Sequence, residues 1–519
     1  MSGFARIGTG TICGVEALPV TVECYRGKGL PQTALVGLAR GAVREALVRV
    51  RSAISASEMV LGNHRIIANL LPAEIPKDAS SIDLALAVAL LGACGLIETS
   101  CTVGSRFFGE LSLSGQVEPS RGAVLVADLV RQQGETSVFV PRANAAEAAL
   151  IPGIQVFPVD HLIQLVEHLS GRHRIKPIRP CTENTGKPHS ADMADVSGQH
   201  RAKRALTIAA AGGHNALLIG PPGSGKTMLA HRLPSILPPL SVDEGTELTR
   251  IYSAAGLLAG RSRIKHPPFR SPHHSASYAA ICGGGLPLMP GEVTLAHHGV
   301  LFLDELPEFN RRAIEALREP LEDGVVHVAR ASVRAVLPAR ALVIAAMNPC
   351  PCGFFRGDFA TQDSSRSCTC DYSAISRYRN RVSGPVLDRI DLHVVVDALR
   401  FRDLVEDIGC DSESLQSSTA IRQRVLEARR CQHQRLGAGR INSSLSAEEL
   451  KRWANPRDPD AIDALEDAMD NEGLSSRAVS RVRKIARTIA DLGGARDINA
   501  SHVKEALSYR VLDRSNLRA

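Results

Sequence analysis

Nothing in this sequence approaches the roughly 18 consecutive apolar residues that a membrane-crossing helix needs. The longest candidate, Leu84 to Leu91, stops at Gly92. The first residues, Met1-Ser2-Gly3-Phe4-Ala5-Arg6, lack the apolar core of a secretion signal. These absences lead to the expectation of a cytoplasmic protein without a membrane partner. In that reducing compartment the 12 cysteines are expected to be thiols or metal ligands rather than disulfides. Internal repeats and low-complexity tracts are missing too, which excludes a solenoid and a chain dominated by disorder. Charge of one sign is not in large excess: 22% of residues are charged and the formal net charge is +7. The 44% hydrophobic fraction is that of an ordinary folded protein.

At 519 residues the chain is too long for one core and is expected to form about three domains. Residues 1–170 alternate short apolar runs with turns and contain one clear helix, Ile82 to Leu91, which Ser80 and Asp83 would open as a capping box. Residues 171–194 are polar and carry Pro177, Pro180 and Pro188, the composition of a linker. Residues 195–398 alternate strand and helix patterns, as in an α/β domain with a parallel sheet between helices. Residues 399–519 are helical by periodicity, most clearly over Ala420 to Leu436 and Ala478 to Leu492. Basic residues gather at Arg377, Arg379 and Arg381, and again at Arg477, Arg481, Arg483, Lys484 and Arg487. Such groups can meet phosphates or line a solvated helix face, and charge alone does not choose between them.

The run Gly220-Pro221-Pro222-Gly223-Ser224-Gly225-Lys226-Thr227 stands between an apolar segment, Ala216 to Ile219, and a helical one beginning at Met228. Strand, glycine loop and helix in that order are the setting of a phosphate-binding loop. Small residues let backbone N–H groups close round phosphate oxygens, helped by the positive end of the helix. Lys226 would reach the β and γ phosphates, and Thr227 would hold Mg2+. A second apolar run, Val300 to Leu303, ends in Asp304-Glu305. An acid at such a strand end completes a Mg2+ shell, and its neighbour can polarise the attacking water. Asp304 is assigned to the metal and Glu305 to the water. Two acids after an apolar strand are common; paired with the glycine loop they imply nucleoside triphosphate hydrolysis.

Further segments follow in the order of the AAA+ ATPases, which this region resembles. Asp195-Val196-Ser197-Gly198-Gln199 falls where those proteins contact adenine, so ATP is the implied nucleotide. Ala345-Ala346-Met347-Asn348, which follows the strand-like run Leu342-Val343-Ile344, looks like the sensor-1 element, in which Asn348 would help Glu305 place the water. Ser383 to Asp391 is similar to the arginine-finger element of replicative helicases and Mg-chelatases. By that resemblance Arg389 reaches the γ-phosphate bound to a neighbouring subunit, although it could instead pair with Asp388 or Asp391. Arg477 sits where a sensor-2 arginine would, with Arg481 as a rival one turn away. A finger supplied in trans implies a homo-oligomer, and family resemblance points to a hexamer.

Two longer strings, Phe269 to Ser277 and Gly291 to Gly299, are similar to the Mg-chelatase-related ComM/YifB family, as is Arg487 to Leu492. The resemblance covers essentially the whole chain. The paired histidines within these strings, His273-His274 and His297-His298, are expected to pack and hydrogen-bond rather than bind metal. A glycine-rich stretch, Gly283 to Gly291, sits where helicase-like relatives insert a loop. Val325 to Val328 and Val333 to Val336 read as a hairpin whose tip carries Arg330, the lead candidate for a DNA contact. The plainer explanation is a surface hairpin with an incidental arginine.

Residues 66–124 resemble the proteolytic domain of Lon, with Ser81 on the nucleophile position. Val124 occupies the position of the general-base lysine. Valine cannot accept a proton, so peptidase activity is not expected.

Cys350, Cys352, Cys368 and Cys370 flank a polar loop just after Asn348. Two pairs of thiols can hold Zn2+ in a tetrahedral site, though the C-x-C spacing is tighter than usual, and free thiols remain the alternative. The resemblance informs us that family members without these cysteines exist. It also implies a DNA motor active in branch migration during homologous recombination and natural transformation. A chelatase-like ATPase that remodels a protein or assists metal insertion would use the same nucleotide residues. A nucleotide-gated scaffold would have little use for a complete set of Glu305, Asn348 and Arg389.

Overall fold

The computed structural model describes residues 3–36, 41–75, 77, 81–179, 191–258, 263–285, 287–330, 333–355, 367–398 and 417–513. The N-terminal region holds a seven-stranded mixed sheet ordered Gln32–Val36, Arg65–Leu71, Glu16–Gly27, Phe4–Cys13, Ser105–Phe107, Ser137–Pro141, Gln155–Val159. Alternation of buried and exposed residues along Arg65–Leu71 turns Ile66, Ala68 and Leu70 inward. They meet the helix Asp83–Cys94, in which Leu84 to Leu91 are all buried. That burial explains why the longest apolar run of the sequence is a core helix.

The expected Ser80–Asp83 capping box is corrected by the structure. The helix has Ile82 at its N-cap and no side-chain cap, and Ser80 lies outside the described residues. The Asp83 carboxylate is drawn inward, accepting from Arg49 Nε at 3.1 Å and from the Leu111 amide at 3.2 Å. A buried carboxylate needs such partners more than a helix end needs a cap. Ser81 is buried, and Val124 packs with Ile12, Phe108 and Val138 in a wholly apolar cluster.

Residues 171–179 dock more firmly than a free linker would. Ile175 is buried in the N-terminal core, and Ile178 bridges to Val156. Residues 180–190 lie outside the described set.

The nucleotide region is built on five parallel strands ordered Phe269–Arg270, Val300–Leu303, Leu342–Met347, Ala216–Ile219, Leu392–Val395. Ala216–Ile219, Val300–Leu303 and Leu342–Met347 are buried throughout, and Leu392–Val395 is buried up to its last residue, as continuous apolar runs require, while the short edge strand Phe269–Arg270 is half-buried. Helices Lys226–Ile236 and Val242–Ala254 belong to the same region, the second opened by a Ser241–Glu244 capping box. Ala254 and Leu258 pack into the Val124 cluster and so join this region to the N-terminal one.

Helices Ser418–Leu436 and Ser476–Leu492 begin two residues before the periodic pattern does, because Ser417 and Ser475 cap them by accepting from the amides of Ala420 and Ala478. Their faces, including Val425, Ala428, Val482 and Ile485, share a core with Ala205, Ile208 and Leu229. A buried polar network also crosses this junction. His214 meets Asp391 Oδ2 at 3.1 Å and Thr488 Oγ1 at 2.8 Å, and Arg481 donates to Asp391 Oδ1 at 2.6 Å. Burial pushes the Asp391 carboxyl up, but His214, Arg481 and Arg510 outweigh it and hold it at about 2. No described helix is long and apolar enough to cross a membrane.

Candidate nucleotide-binding and hydrolysis site

The glycine loop leaves the carboxyl end of a central strand, the position where open parallel sheets form their ligand crevice. A Cβ at Gly220 would lie 2.1 Å from the Val396 carbonyl oxygen, so a larger residue cannot stand there. Gly223 and Gly225 have φ of +76° and +88°, values that favour glycine. Gln199, itself at φ +51°, donates from Nε2 to Ser224 O at 3.2 Å and to Asp397 O at 2.8 Å. It therefore ties the expected adenine segment to the loop.

Lys226 is buried and donates to the Gly220 and Pro221 carbonyls, both at 2.8 Å, and to Asn348 Oδ1 at 3.3 Å. Burial lowers its pKa to about 8, against the opposing pull of Asp304 and Glu305. Thr227 Oγ1 donates to Asp304 Oδ2 at 2.9 Å. A hydroxyl and a carboxylate oxygen at that separation suit a hard cation such as Mg2+, which keeps few protein ligands. The other Asp304 oxygen accepts from the Glu305 amide at 3.0 Å. Glu305 adopts φ +53°, a strained conformation for a non-glycine residue, and its side chain is 57% exposed. The turn throws the carboxylate out of the strand and towards solvent, where a water could be met. His274 Nδ1 lies 3.8 Å from Glu305 Oε2, a neighbour that the sequence did not reveal.

Lys226, Thr227, Asp304 and Asn348 are thus gathered by direct contacts, with Glu305 next to Asp304. Arg389 and Arg477 are placed elsewhere. Arg389 Nε donates to Glu322 Oε2 at 2.9 Å, and Arg477 Nη2 to Glu322 Oε1 at 2.9 Å. Among the described residues neither arginine bonds to the glycine-loop cluster. The carboxylate partner of Arg389 is therefore Glu322, where the sequence had offered Asp388 or Asp391. The two sensor-2 candidates also separate: Arg481 is largely enclosed against Asp391, with 15% of its side chain exposed, whereas Arg477 is 48% exposed. Glu322 belongs to an ordinary helix end, Leu321-Glu322-Asp323-Gly324, and carries no motif that could have marked it.

Val325–Arg330 and Val333–Pro338 pair as an antiparallel hairpin with Arg330 opposite Val333, so Arg330 closes the strand at the tip. Residues 331 and 332 lie outside the described set. Gly283–Gly284 pairs with Met289–Pro290 in a small second ribbon.

Glu247, His297 and His298 are close enough to surround a cation. The Arg340 amide, however, donates to His297 Nδ1 at 3.0 Å, which places the ring proton on Nε2, 3.3 Å from Glu247 Oε2. With one ring nitrogen accepting and the other protonated, the His297 ring has no lone pair left for a metal. The His297 ring beside it, and His298, whose Nε2 lies 2.9 Å from Glu247 Oε2, hold the Glu247 carboxyl well below its usual range. The pair is a brace between Val242–Ala254 and the foot of the hairpin.

The four cysteines do converge. Cys350 Sγ lies 3.3 Å from Cys352 Sγ and 3.7 Å from Cys368 Sγ, Cys352 and Cys368 are 3.5 Å apart, and all four sulfurs fall within 4.8 Å of one another.

Family models match along the chain: magnesium chelatase subunit ChlI over residues 192–404 and 22–144, and the ChlI C-terminal region over residues 415–510. A protein named YifB from Salmonella typhimurium is 42% identical over 98% of both chains. The competence protein ComM of Haemophilus influenzae is 40% identical over 96% of both. The DNA replication licensing factor mcm6 of Schizosaccharomyces pombe is 24% identical over 57% of this chain and 29% of its own. With glycine loop, acidic pair and parallel sheet in one frame, and near-complete coverage at this identity, the chain belongs to the ComM/YifB family of Mg-chelatase-like AAA+ proteins.

Proposed function

We propose that this chain is an ATP-dependent, ring-forming DNA motor of the cytoplasm, acting by helicase-like branch migration in homologous recombination and natural transformation. The observation that carries the proposal is the split of its hydrolytic residues into two sets. Lys226, Thr227, Asp304, Glu305 and Asn348 form one; Arg389 and Arg477 form the other, on the Glu322 carboxylate. One protomer then has a nucleotide pocket without its arginines, and a neighbour's arginines complete it. Repetition round a closed ring gives a hexamer by analogy with replicative helicases.

In such a site Lys226 leaves the loop carbonyls for the phosphates, and Thr227 with Asp304 holds Mg2+. Glu305 and Asn348 orient water, and Arg389 from the neighbour meets the charge that develops on the γ-phosphate. Arg330 at the hairpin tip supplies the contact to DNA phosphates. The similarity to a competence protein and to a replication licensing factor supports DNA as the substrate. We also assign Zn2+ to the four cysteines, as a structural ion outside the hydrolytic step.

A chelatase-like role, remodelling a protein partner or assisting metal insertion, is the second reading, favoured by the family models that match the chain. Steady-state ATPase with and without branched, single-stranded and duplex DNA, at a stated salt concentration, separates the two. Stimulation by branched DNA supports the motor. Basal hydrolysis with neither DNA binding nor stimulation supports the chelatase-like machine.

A further inference from the structure

We infer that the four-cysteine site is a zinc-dependent clamp on the ATPase pocket, fixing both Asn348 and the Pro222 wall of the phosphate loop. The inference rests on the zinc assignment above and adds a regulatory consequence to it.

The sulfur geometry matches the ion. Zn–S bonds of about 2.3 Å in a tetrahedron put the sulfurs about 3.8 Å apart. The three distances of 3.3, 3.7 and 3.5 Å are close to that edge and far beyond the about 2.05 Å of a disulfide. Backbone amides already point at the sulfurs: Phe355 N–H donates to Cys350 Sγ at 3.2 Å, and Cys370 N–H to Cys368 Sγ at 3.4 Å. Such bonds stabilise thiolates, the form that binds metal.

The cluster joins two segments that both hold the pocket. Cys350 is two residues beyond Asn348. Gly353, at φ +85°, packs so tightly on the phosphate loop that a Cβ there would lie 2.4 Å from Pro222 Cδ. On the other side, Cys368 and Cys370 lead directly into the helix Tyr372–Arg379. That helix grips the sensor from behind: the Asn348 amide donates to the Tyr378 hydroxyl, and Arg379 Nε donates to Pro349 O at 3.2 Å. The Arg379 guanidinium also lies 5.2 Å from the Phe355 ring centroid. Closing the sulfurs on one ion therefore locks the segment after Asn348 to the helix that supports it. Opening them frees both, and a sensor displaced by about 1 Å can cost up to about a hundredfold in rate.

The full-length protein is dialysed exhaustively, its zinc is measured by mass spectrometry, and Co2+ is exchanged in. About one zinc per chain and the visible bands of tetrahedral thiolate-bound cobalt are expected. Absence of both overturns the zinc assignment itself. Cys368→Ser with Cys370→Ser should abolish the cobalt bands, keep binding of a fluorescent ATP analogue, and lower kcat about tenfold or more. Gly353→Ala, which keeps all four cysteines, should retain zinc yet also lower kcat. Zinc bound in the wild type with kcat unchanged in both variants overturns the clamp while leaving the metal site standing.

Discussion

Arg389 and Arg477 meet on a single carboxylate, each with a nitrogen 2.9 Å from a different oxygen of Glu322. The hydrogen bonds from Arg389 hold the Glu322 carboxyl below its usual range. Glu322 stands three residues before Val325, where the hairpin begins. The carboxylate that restrains both arginines is thus attached to the element proposed to touch DNA, and movement of the hairpin would release or recapture them.

Glu322→Gln removes the restraint with little change of shape. Because Glu322 is 47% exposed, solvent screening limits the pairing to about 0.5–1 kcal/mol. Basal ATPase is therefore expected to rise about two- to fivefold, with a smaller further gain on adding DNA. An unchanged basal rate with full DNA stimulation would show that Glu322 does not restrain the arginines.

The two-set arrangement makes a sharper prediction about subunits. Glu305→Gln should preserve ATP binding and lower turnover by about 10²-fold or more, because the water loses its base. Arg389→Ala should preserve binding too and cost about 10³–10⁵-fold, because charge on the γ-phosphate goes unmet. Mixing the two inactive variants should restore part of the rate, since some interfaces then pair an intact pocket with an intact arginine. A mixture as inactive as its components would place Arg389 in cis or outside catalysis.

Much of this was legible in the sequence, and the exceptions share a physical cause. The glycine loop and Asp304-Glu305 announce themselves because phosphate and Mg2+ demand particular residues at fixed chain spacing. The buried strands Ala216–Ile219 and Val300–Leu303 are equally plain, being apolar on both faces. Glu322, His274 and Gly353 gave no such signal, since each acts through a partner distant in the chain. Asp83 misled for a related reason: a capping spacing is local, and the demand of a buried carboxylate for Arg49 is not. Helix starts at Ser418 and Ser476 were missed because periodicity begins only after the cap.

The hairpin prediction concerns salt as much as affinity. Arg330 ends its strand at the tip, opposite Val333. If it neutralises one phosphate, Arg330→Ala should weaken DNA binding and reduce the slope of log K against log salt by about one. Basal ATPase should not change, because Arg330 is remote in role from the nucleotide. Equal affinity and equal slope would move the DNA contact to another element.

The depressed pKa of Lys226 gives a pH dependence whose sign can be worked out. Without nucleotide, burial holds the ammonium near a pKa of about 8, so it is mostly charged at pH 7 and mostly neutral at pH 9. Phosphate oxygens require the charged form, so binding above pH 8 must take up a proton. The Kd for an ATP analogue should therefore rise about tenfold between pH 7 and 9, and stay nearly flat below pH 7. Lys226→Arg supplies the control, because a guanidinium stays charged throughout this range: whatever its affinity, its Kd should lack the rise. Fluorescence titrations at constant ionic strength measure both. A wild-type Kd independent of pH to 9 would mean that the buried lysine keeps its proton, and that Asp304 and Glu305 outweigh its desolvation.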